Sequence, residues 1–264
     1  MRQLPSPEPR RAAVPIRLSR RLALALVAAL LTAGPTHAAA PAAQPAATTV
    51  IVLGDSQAQG LAGALERQYL RDSHYRILDR SRIGTGLVGR GYDWPGAARD
   101  LAGAHHGQVA VIMFGANDRP PFHIEQVDAA VKEQFRRVYD KRVRDVIRAF
   151  RDADIDVIWL GHPIVRDGRY SDDMAFLNQI FEQAAKEEGA RWVPLWDLVA
   201  DPQGGYTAFG KGADGETRRL RADDGVHFTP SGYDLVASRV RPLLEEHRAT
   251  LSPGTPSPSA ALGQ

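Results

Sequence analysis

The stretch "TVIVLGDSQAQGLAGALERQYL", residues 49–70, joins a short apolar run to a longer amphipathic one. The run "TVIVL" (49–53) is rich in β-branched residues and ends at Gly54, which is typical of a buried strand. From Ala58 to Leu70 the apolar residues recur every three or four positions, and this spacing predicts a helix. Ser56 therefore stands in the turn between a strand and a helix.

The same alternation continues along the chain. Further strands are predicted at "YRILD" (75–79), "QVAVIMF" (108–114), "DVIWLG" (156–161) and "ARWVPL" (190–195), and helical spacing returns at 127–153, 172–188 and 233–247. Alternating strands and helices predict an α/β fold with a mostly parallel sheet and helices on both faces. The glycine-rich stretch 206–225 interrupts the alternation and is interpreted as a hairpin or a long loop.

The two ends of the chain have a different composition. Residues 1–38 combine an arginine-rich start, an apolar run from Leu22 to Ala33 and small residues, the layout of a secretory signal peptide. The apolar run is well short of the ~20 residues that span a bilayer, so we expect export to the periplasm or the medium, with no membrane insertion after cleavage. An uncleaved signal anchor is the alternative. Residues 39–48 are predicted to be a disordered Ala/Pro linker, 49–250 the folded domain and 251–264 a disordered Pro/Ser tail.

Composition excludes several functions. The chain has no cysteine, which rules out a disulfide framework and a thiolate nucleophile. Its net charge of +2 comes from the arginines of the first 38 residues, so the remainder is net negative and does not indicate nucleic-acid binding. The spacing of His, Asp and Glu suggests no metal site, and no cofactor is predicted.

Ligands of open α/β sheets bind at the carboxyl ends of the strands, so the residues that follow each strand are the candidates for a site. Ser56 is a candidate nucleophile, although a serine at this place also commonly caps a helix. In "DDGVH" (223–227), His227 could act as the base and Asp224 as the carboxylate that orients it, unless the segment is only a polar turn. Asp223 is a rival carboxylate that we expect to face solvent.

Two further strand ends offer hydrogen-bond donors for an oxyanion. Gly86 follows the second strand and allows a close approach of its main-chain amide, while Asn117 follows the third strand and offers a side-chain amide. Gly84 is an alternative to Gly86. Both positions also fit ordinary turn chemistry.

The blocks "GDS" (54–56), "IGTG" (83–86), "GAND" (115–118) and "DGVH" (224–227) together resemble the SGNH (GDSL-type) hydrolases over residues 50–246. The resemblance implies a three-layer α/β/α sandwich with a five-stranded flavodoxin-like sheet. It implies Ser56 as nucleophile, His227 as base and acid and Asp224 as third triad member. The oxyanion hole would consist of the Ser56 and Gly86 amides and the Asn117 side chain.

Two sequence positions depart from the family pattern, and two aspartates stand next to motif residues. Gln57 stands where many relatives have an apolar residue, and the second block lacks the usual preceding Asn. The sequences around the second block, "RIGTGLVGRGYDWP" (82–95), and the fourth block, "RADDGVHFTPSGY" (221–233), resemble those of an exported bacterial subgroup. Asp55 and Asp118, beside the motif positions, are expected to brace loops.

Four residues are candidate substrate contacts. His162 and Arg166 lie in "GHPIVRDG" (161–168), which is expected to open onto the same edge, and Trp94 and Tyr92 could form a stacking wall for a sugar ring. A structural role is the alternative for each.

The four blocks together predict a serine esterase that removes a small acyl group. The predicted export and the family resemblance imply O-acetyl on a cell-envelope or extracellular polysaccharide as the substrate. A polysaccharide O-acyltransferase with the same triad and a non-catalytic polysaccharide-binding protein are the alternatives.

Overall fold

The computed structural model describes residues 47–89, 91–105, 108–121 and 124–251. The predicted signal peptide, most of the predicted linker and the tail from residue 252 lie outside the described residues. The first strand already begins at Thr48, within the predicted linker, and the last helix ends at Leu251.

Five parallel strands form one sheet at the centre of the described domain. The strands are β1 (Thr48–Gly54), β2 (Tyr75–Asp79), β3 (Val109–Met113), β4 (Asp156–Leu160) and β5 (Arg191–Val193). Their order across the sheet is β2-β1-β3-β4-β5, and every neighbouring pair is parallel. This is the flavodoxin-like order, so the predicted fold class is confirmed.

Helices cover both faces of this sheet. They are α1 (Ser56–Tyr69), α2 (Trp94–Ala104), α3 (Ala129–Arg151), α4 (Gly168–Glu187) and α5 (Pro230–Leu251), with a short 3-10 helix at Ile124–Gln126. Successive side chains of a strand point to opposite faces. Ile51 and Leu53 of β1 accordingly pack in a core with α2, α3 and α4, whereas Val50 and Val52 pack in a second core with α1 and α5.

Helix α2 was not identified from the spacing of apolar residues. Its sequence "WPGAARDLAGA" is rich in Ala and Gly and carries few large apolar side chains. Pro95 is tolerated because it lies in the first turn, where main-chain N–H groups have no acceptor within the helix and the N–H that proline lacks is not needed. The buried faces of Trp94 and Ala98 hold the helix against the sheet.

The stretch 206–225 contains a hairpin, the first of the two predicted alternatives. Strands β6 (Phe209–Lys211) and β7 (Thr217–Arg219) pair antiparallel, and Gly215 in the turn has a φ of +82°, a conformation that favours glycine. Leu220, directly after β7, is buried in the core beside α5.

Gly54 directs the chain from β1 into α1. Its φ is +143°, and a Cβ at this position would lie 1.9 Å from the carbonyl oxygen of Met113 at the end of β3. A side chain is therefore excluded here. The close approach of the two strand ends brings Ser56 to the carboxyl edge of the sheet.

No helix in the described part of the chain is both long and apolar enough to cross a membrane.

Candidate active site

Ser56, His227 and Asp224 form one chain of hydrogen bonds. Ser56 is the first residue of α1, and its Oγ lies 2.7 Å from His227 Nε2. On the other side of the ring, His227 Nδ1 lies 2.6 Å from Asp224 Oδ2. The structure therefore brings together the three residues predicted as a triad, in the order of nucleophile, base and carboxylate.

Asp224 is held as a carboxylate by its own loop. Its Oδ1 accepts the main-chain N–H groups of Val226 and His227 at 2.8 and 2.9 Å. Partial burial opposes ionisation, but these two bonds and the His227 ring outweigh it and lower the pKa of Asp224 to about 2. The group that faces the imidazole is thus an acceptor at neutral pH.

Asp223 has a different environment from its neighbour. Its side chain is 89% exposed and pairs with Arg219 on the hairpin. The structure therefore distinguishes the two adjacent carboxylates in the way the sequence analysis expected.

The N-cap of α1 is Asp55 and not Ser56, so the simplest alternative interpretation of Ser56 is wrong. Asp55 Oδ1 accepts the N–H of Gln57 at 2.9 Å, and its Oδ2 accepts the N–H of Ala116 at 3.1 Å. Because the carboxyl group is completely buried, its pKa is raised to about 7. Asp55 braces the loop after β1 against the loop after β3, as expected.

Asp118 braces the next pair of loops. Its Oδ1 accepts the N–H of Val88 at 3.1 Å and its Oδ2 accepts the hydroxyl of Tyr139 at 3.0 Å. A Cβ at Gly86 would lie 2.2 Å from Asp118 Oδ1, so this carboxylate requires glycine at position 86. Gly84 instead has a φ of +73° and open space around it, which identifies it as a turn glycine.

Asn117 lies at the exposed edge of the same loops. Its Nδ2 donates to the carbonyl oxygen of Thr85 at 3.0 Å, one residue before Gly86. A carboxamide nitrogen carries two hydrogens, so this bond engages one donor and leaves the second. The structure thus links the Asn117 side chain directly to the Gly86 loop.

Gln57, which departs from the family pattern and was not predicted as a site residue, supports the His227 loop. It is fully buried, its Nε2 donates to the carbonyl oxygen of Val226 at 2.8 Å, and its Oε1 accepts the hydroxyl of Tyr233 at 2.9 Å. An apolar residue here could make neither bond.

Arg221 also supports this loop, and the sequence analysis missed it. The side chain is fully buried, and its guanidinium donates to the carbonyl oxygens of Ile164 and Val226 at 2.6 and 2.9 Å. Longer bonds reach the carbonyls of Gly225 and His227 at 3.5 and 3.4 Å. Arg221 therefore binds three successive carbonyls of the segment that carries the imidazole. No pattern in the sequence signalled this role, although Arg221 lies in the inserted stretch, three residues before Asp224.

The prediction that His162 contacts substrate is wrong. Its side chain is fully buried, and neither ring nitrogen has a hydrogen-bond partner in the described structure. Burial lowers its pKa to about 3, so the ring is neutral. The ring packs behind Gly115, where a Cβ would lie 2.9 Å from His162 Cδ2, and Asn178 binds its main chain on both sides.

The prediction that Trp94 stacks on a substrate ring is also wrong. Trp94 is 1% exposed and packs edge-on against Tyr92 and Phe114. Its Nε1 donates to Thr85 Oγ1 at 3.1 Å. The indole is therefore a support beneath the loop that carries Gly86, which is the packing alternative.

Arg166 is exposed and lies beside the triad loop. Its Nη1 donates to the carbonyl oxygen of Asp223 at 2.7 Å, and its guanidinium lies over the ring of Tyr206. Arg166 N also donates to the carbonyl of Gly225 at 3.0 Å. These contacts give Arg166 a role in holding the loop, and a substrate contact stays a prediction.

Within the described ranges, no cluster of three or more His, Asp or Glu side chains is arranged to hold a metal ion.

Comparison with known proteins identifies one family and a set of related folds. The sequence of residues 49–243 matches the family described as "Protein of unknown function (DUF459)". No curated protein matches the chain.

Three solved structures illustrate the shared fold. An acetyl xylan esterase, AlAXEase, is 17% identical, with a TM-score of 0.54 over 74% of this chain and 99% of that one. A lipolytic protein of the G-D-S-L family from Veillonella parvula is 16% identical, with a TM-score of 0.52 over 75% and 99% of the two chains. A variant of Axe2, an acetyl-xylooligosaccharide esterase from Geobacillus Stearmophilus, is 14% identical, with a TM-score of 0.51 over 75% and 95%. The resemblance to SGNH hydrolases that the four sequence blocks indicated is therefore confirmed at the level of the fold.

Replacing Arg221 with Met should loosen the His227 loop. The change leaves several buried carbonyls without their donor, and we expect it to lower the free energy of unfolding by about 1–3 kcal/mol. Hydrogen exchange followed by mass spectrometry should show faster exchange concentrated in residues 222–227. The matched control is Arg218→Met, which removes an exposed ion pair with Asp214 on the same hairpin and should cost less than about 1 kcal/mol. Equal stability and unchanged exchange in Arg221→Met would contradict this role.

Replacing His162 with Leu should raise the stability of the protein at acidic pH relative to the wild type, because it removes a group whose burial disfavours the folded state there. The pKa of His162 is about 3 in the folded protein and near 6.5 when unfolded, so only the unfolded chain binds a proton between these values. The contribution of His162 to stability therefore falls as pH falls from 6.5 towards 3, by up to about 1.4 kcal/mol per pH unit. His162→Leu should remove this loss and stay within about 1.5 kcal/mol of the wild type at pH 8.

Urea unfolding at pH 8 and pH 5 measures this difference. The control is Ile158→Val, a substitution in the buried core that removes no titratable group and should keep the pH dependence of the wild type. If the change in stability between the two pH values is the same in His162→Leu as in the wild type, the ring does not stay neutral on folding.

Proposed function

We propose that this chain, which belongs to the DUF459 family, is a serine esterase that removes a small acyl group, an O-acetyl ester, from a carbohydrate. The observation that carries the proposal is the hydrogen-bonded chain from Ser56 Oγ through His227 to Asp224 at the carboxyl edge of the sheet. A serine hydroxyl is a poor nucleophile alone, and a histidine in contact with it on one side and with a carboxylate on the other is the arrangement that activates it.

The proposed reaction uses an acyl-enzyme. Ser56 Oγ attacks the ester carbonyl carbon while its proton passes to His227 Nε2, giving a tetrahedral intermediate. Collapse of the intermediate breaks the bond to the alcohol oxygen, which takes the proton from His227 and leaves the acyl group on Ser56. Water then loses a proton to His227 and attacks the acyl carbon, which releases the carboxylic acid and returns the proton to Ser56. Asp224 holds the ring orientation and stabilises the imidazolium in both halves.

The negative charge of the tetrahedral intermediate needs donors fixed in advance. The Ser56 amide lies at the N-terminus of α1, where the helix dipole favours negative charge. Gly86, pressed against Asp118, and the second hydrogen of the Asn117 amide supply the other donors in this proposal. Each such donor is worth ~3 kcal/mol of transition-state stabilisation.

Two observations support an acetylated carbohydrate as the substrate. Two of the proteins with the same fold are named as an acetyl xylan esterase and an acetyl-xylooligosaccharide esterase, which favours an acetylated carbohydrate. The composition of residues 1–38 favours export, which would place the enzyme in the periplasm or outside the cell with access to envelope or extracellular polysaccharide.

Replacing Ser56 with Ala tests the proposal directly. The variant should fold normally but lose hydrolysis of p-nitrophenyl acetate by a factor of about 10⁶, since the nucleophile is gone. It should also resist labelling by a fluorophosphonate probe that labels the wild type. Ser81→Ala, which lies on the loop after β2, is a control that should keep both properties. Hydrolysis at the wild-type rate in Ser56→Ala would eliminate the proposed mechanism.

The two adjacent carboxylates provide a second, matched test. Asp224→Asn should lower kcat by about 10³–10⁴-fold, because an amide cannot stabilise the imidazolium and favours the wrong ring tautomer. Asp223→Asn keeps the main-chain carbonyl that Arg166 binds and removes only an exposed ion pair, so its kcat should stay within about threefold of the wild type. Equal losses in the two variants would mean that Asp224 is not the third member of the triad.

A further inference from the structure

A groove leads away from the candidate nucleophile along helix α1. Ser56, Gln59, Gly63 and Arg67 line its α1 side, and His227 and Pro230 line the opposite side. Residues three or four positions apart lie on one face of a helix, so these four α1 residues form a continuous wall. With a rise of 1.5 Å per residue, the wall extends about 16 Å from Ser56 to Arg67.

Two glycines of α1 contribute to the groove for different reasons. Gly60 is required by packing, because a Cβ there would lie 2.1 Å from the ring of Tyr233. Gly63 has no such requirement: among the described residues the nearest contact of a Cβ would be Arg67 Nη1 at an ordinary 3.6 Å, and its φ is not positive. A glycine inside a helix lowers helix stability relative to alanine. Gly63 instead leaves space for a ligand at this point of the α1 wall.

The chemistry of the triad indicates which part of a substrate this groove would hold. His227 must deliver its proton to the leaving alcohol oxygen, so the alcohol lies on the His227 side of Ser56. Among the described residues, the groove is lined by His227 and Pro230 and by none from the Gly86 and Asn117 loops, which face the acyl oxygen in the proposed mechanism. The acyl group and the groove therefore belong to opposite sides of the nucleophile.

The lining of the groove suits a neutral polar chain. Gln59 is exposed and offers an amide to hydroxyl groups. Arg67, at the far end, donates to Asp234 Oδ1 at 2.7 Å and to the carbonyl of Pro230 at 3.4 Å, so a carboxylate already balances its charge. Arg67 therefore offers no unpaired positive charge to an acidic substrate.

We propose that this groove binds the sugar units next to the acylated one, so that the substrate is an oligosaccharide or polysaccharide, and that Gly63 determines this specificity. The inference rests on the proposed esterase function. It deepens that function by assigning the α1 side of the nucleophile to the carbohydrate chain.

Gly63→Leu tests the proposal by filling the groove without touching the triad. In the wild type, kcat/KM for acetylated xylooligosaccharides should rise from the monosaccharide to the tetrasaccharide. In Gly63→Leu, kcat/KM for the tetrasaccharide should fall by at least about tenfold, mainly through a higher KM. The kcat/KM for p-nitrophenyl acetate should stay within about twofold of the wild-type value. Gly63→Ala should raise the thermal stability of the protein and show a smaller loss in the same direction.

Gly103→Leu is the matched control, because Gly103 also lies in a helix, α2, away from the groove, and no described residue lies within 4 Å of its Cβ position. It should leave both activities unchanged. An equal effect of Gly63→Leu on short and long substrates, or a wild type with no dependence on chain length, would overturn the groove assignment while Ser56-dependent hydrolysis of p-nitrophenyl acetate stands. A wild type that hydrolyses no ester would instead remove the esterase function, and the role of the groove with it.

Discussion

The buried guanidinium of Arg221 is the constraint on which the arrangement of the candidate site depends. A cation removed from water needs several hydrogen-bond acceptors, and the structure supplies main-chain carbonyls rather than a carboxylate. Burial lowers the pKa of Arg221 to about 10, so it is still charged at neutral pH. Because its acceptors come from the segment after β4 and from residues 225–227, satisfying the charge also fixes the conformation of the loop that carries His227.

Comparable cross-links connect the other strand-end loops. Asp55 joins the loop after β1 to that after β3, Asp118 joins the loops after β3 and β2, and Gln57 joins α1 to the loop before α5. All three side chains are buried and lie beside, rather than at, the proposed catalytic positions. Buried polar groups must find partners, and here the partners are main-chain groups of neighbouring loops. The donors and the base are thus fixed before a substrate arrives, which is what electrostatic catalysis requires.

The sheet and the triad geometry could be predicted because both rest on local patterns: strand-helix alternation places strand ends at one edge, and the four blocks occupy those ends. Burial at that edge could not be predicted. His162 follows a strand and Trp94 begins a helix, just as Ser56 does both, but the depth of each side chain depends on packing against distant helices. Helix α2 escaped the spacing analysis since alanine and glycine give it a weak apolar pattern. Arg221 gave no signal because its acceptors are carbonyls, which every residue possesses.

The buried groups around the site also make opposing contributions to stability. Asp55 has a pKa of about 7 in the folded protein and near 3.9 when unfolded, so folding takes up a proton between these values and stability falls as pH rises through this window. His162 behaves in the opposite sense, since only the unfolded chain binds its proton between pH 3 and 6.5, and stability rises with pH there. From about pH 4 to 6.5 the proton that folding binds at Asp55 offsets the one that it excludes from His162. The burial of these two groups, each in contact with the loop after β3, therefore leaves the folded site less dependent on pH than either group alone would.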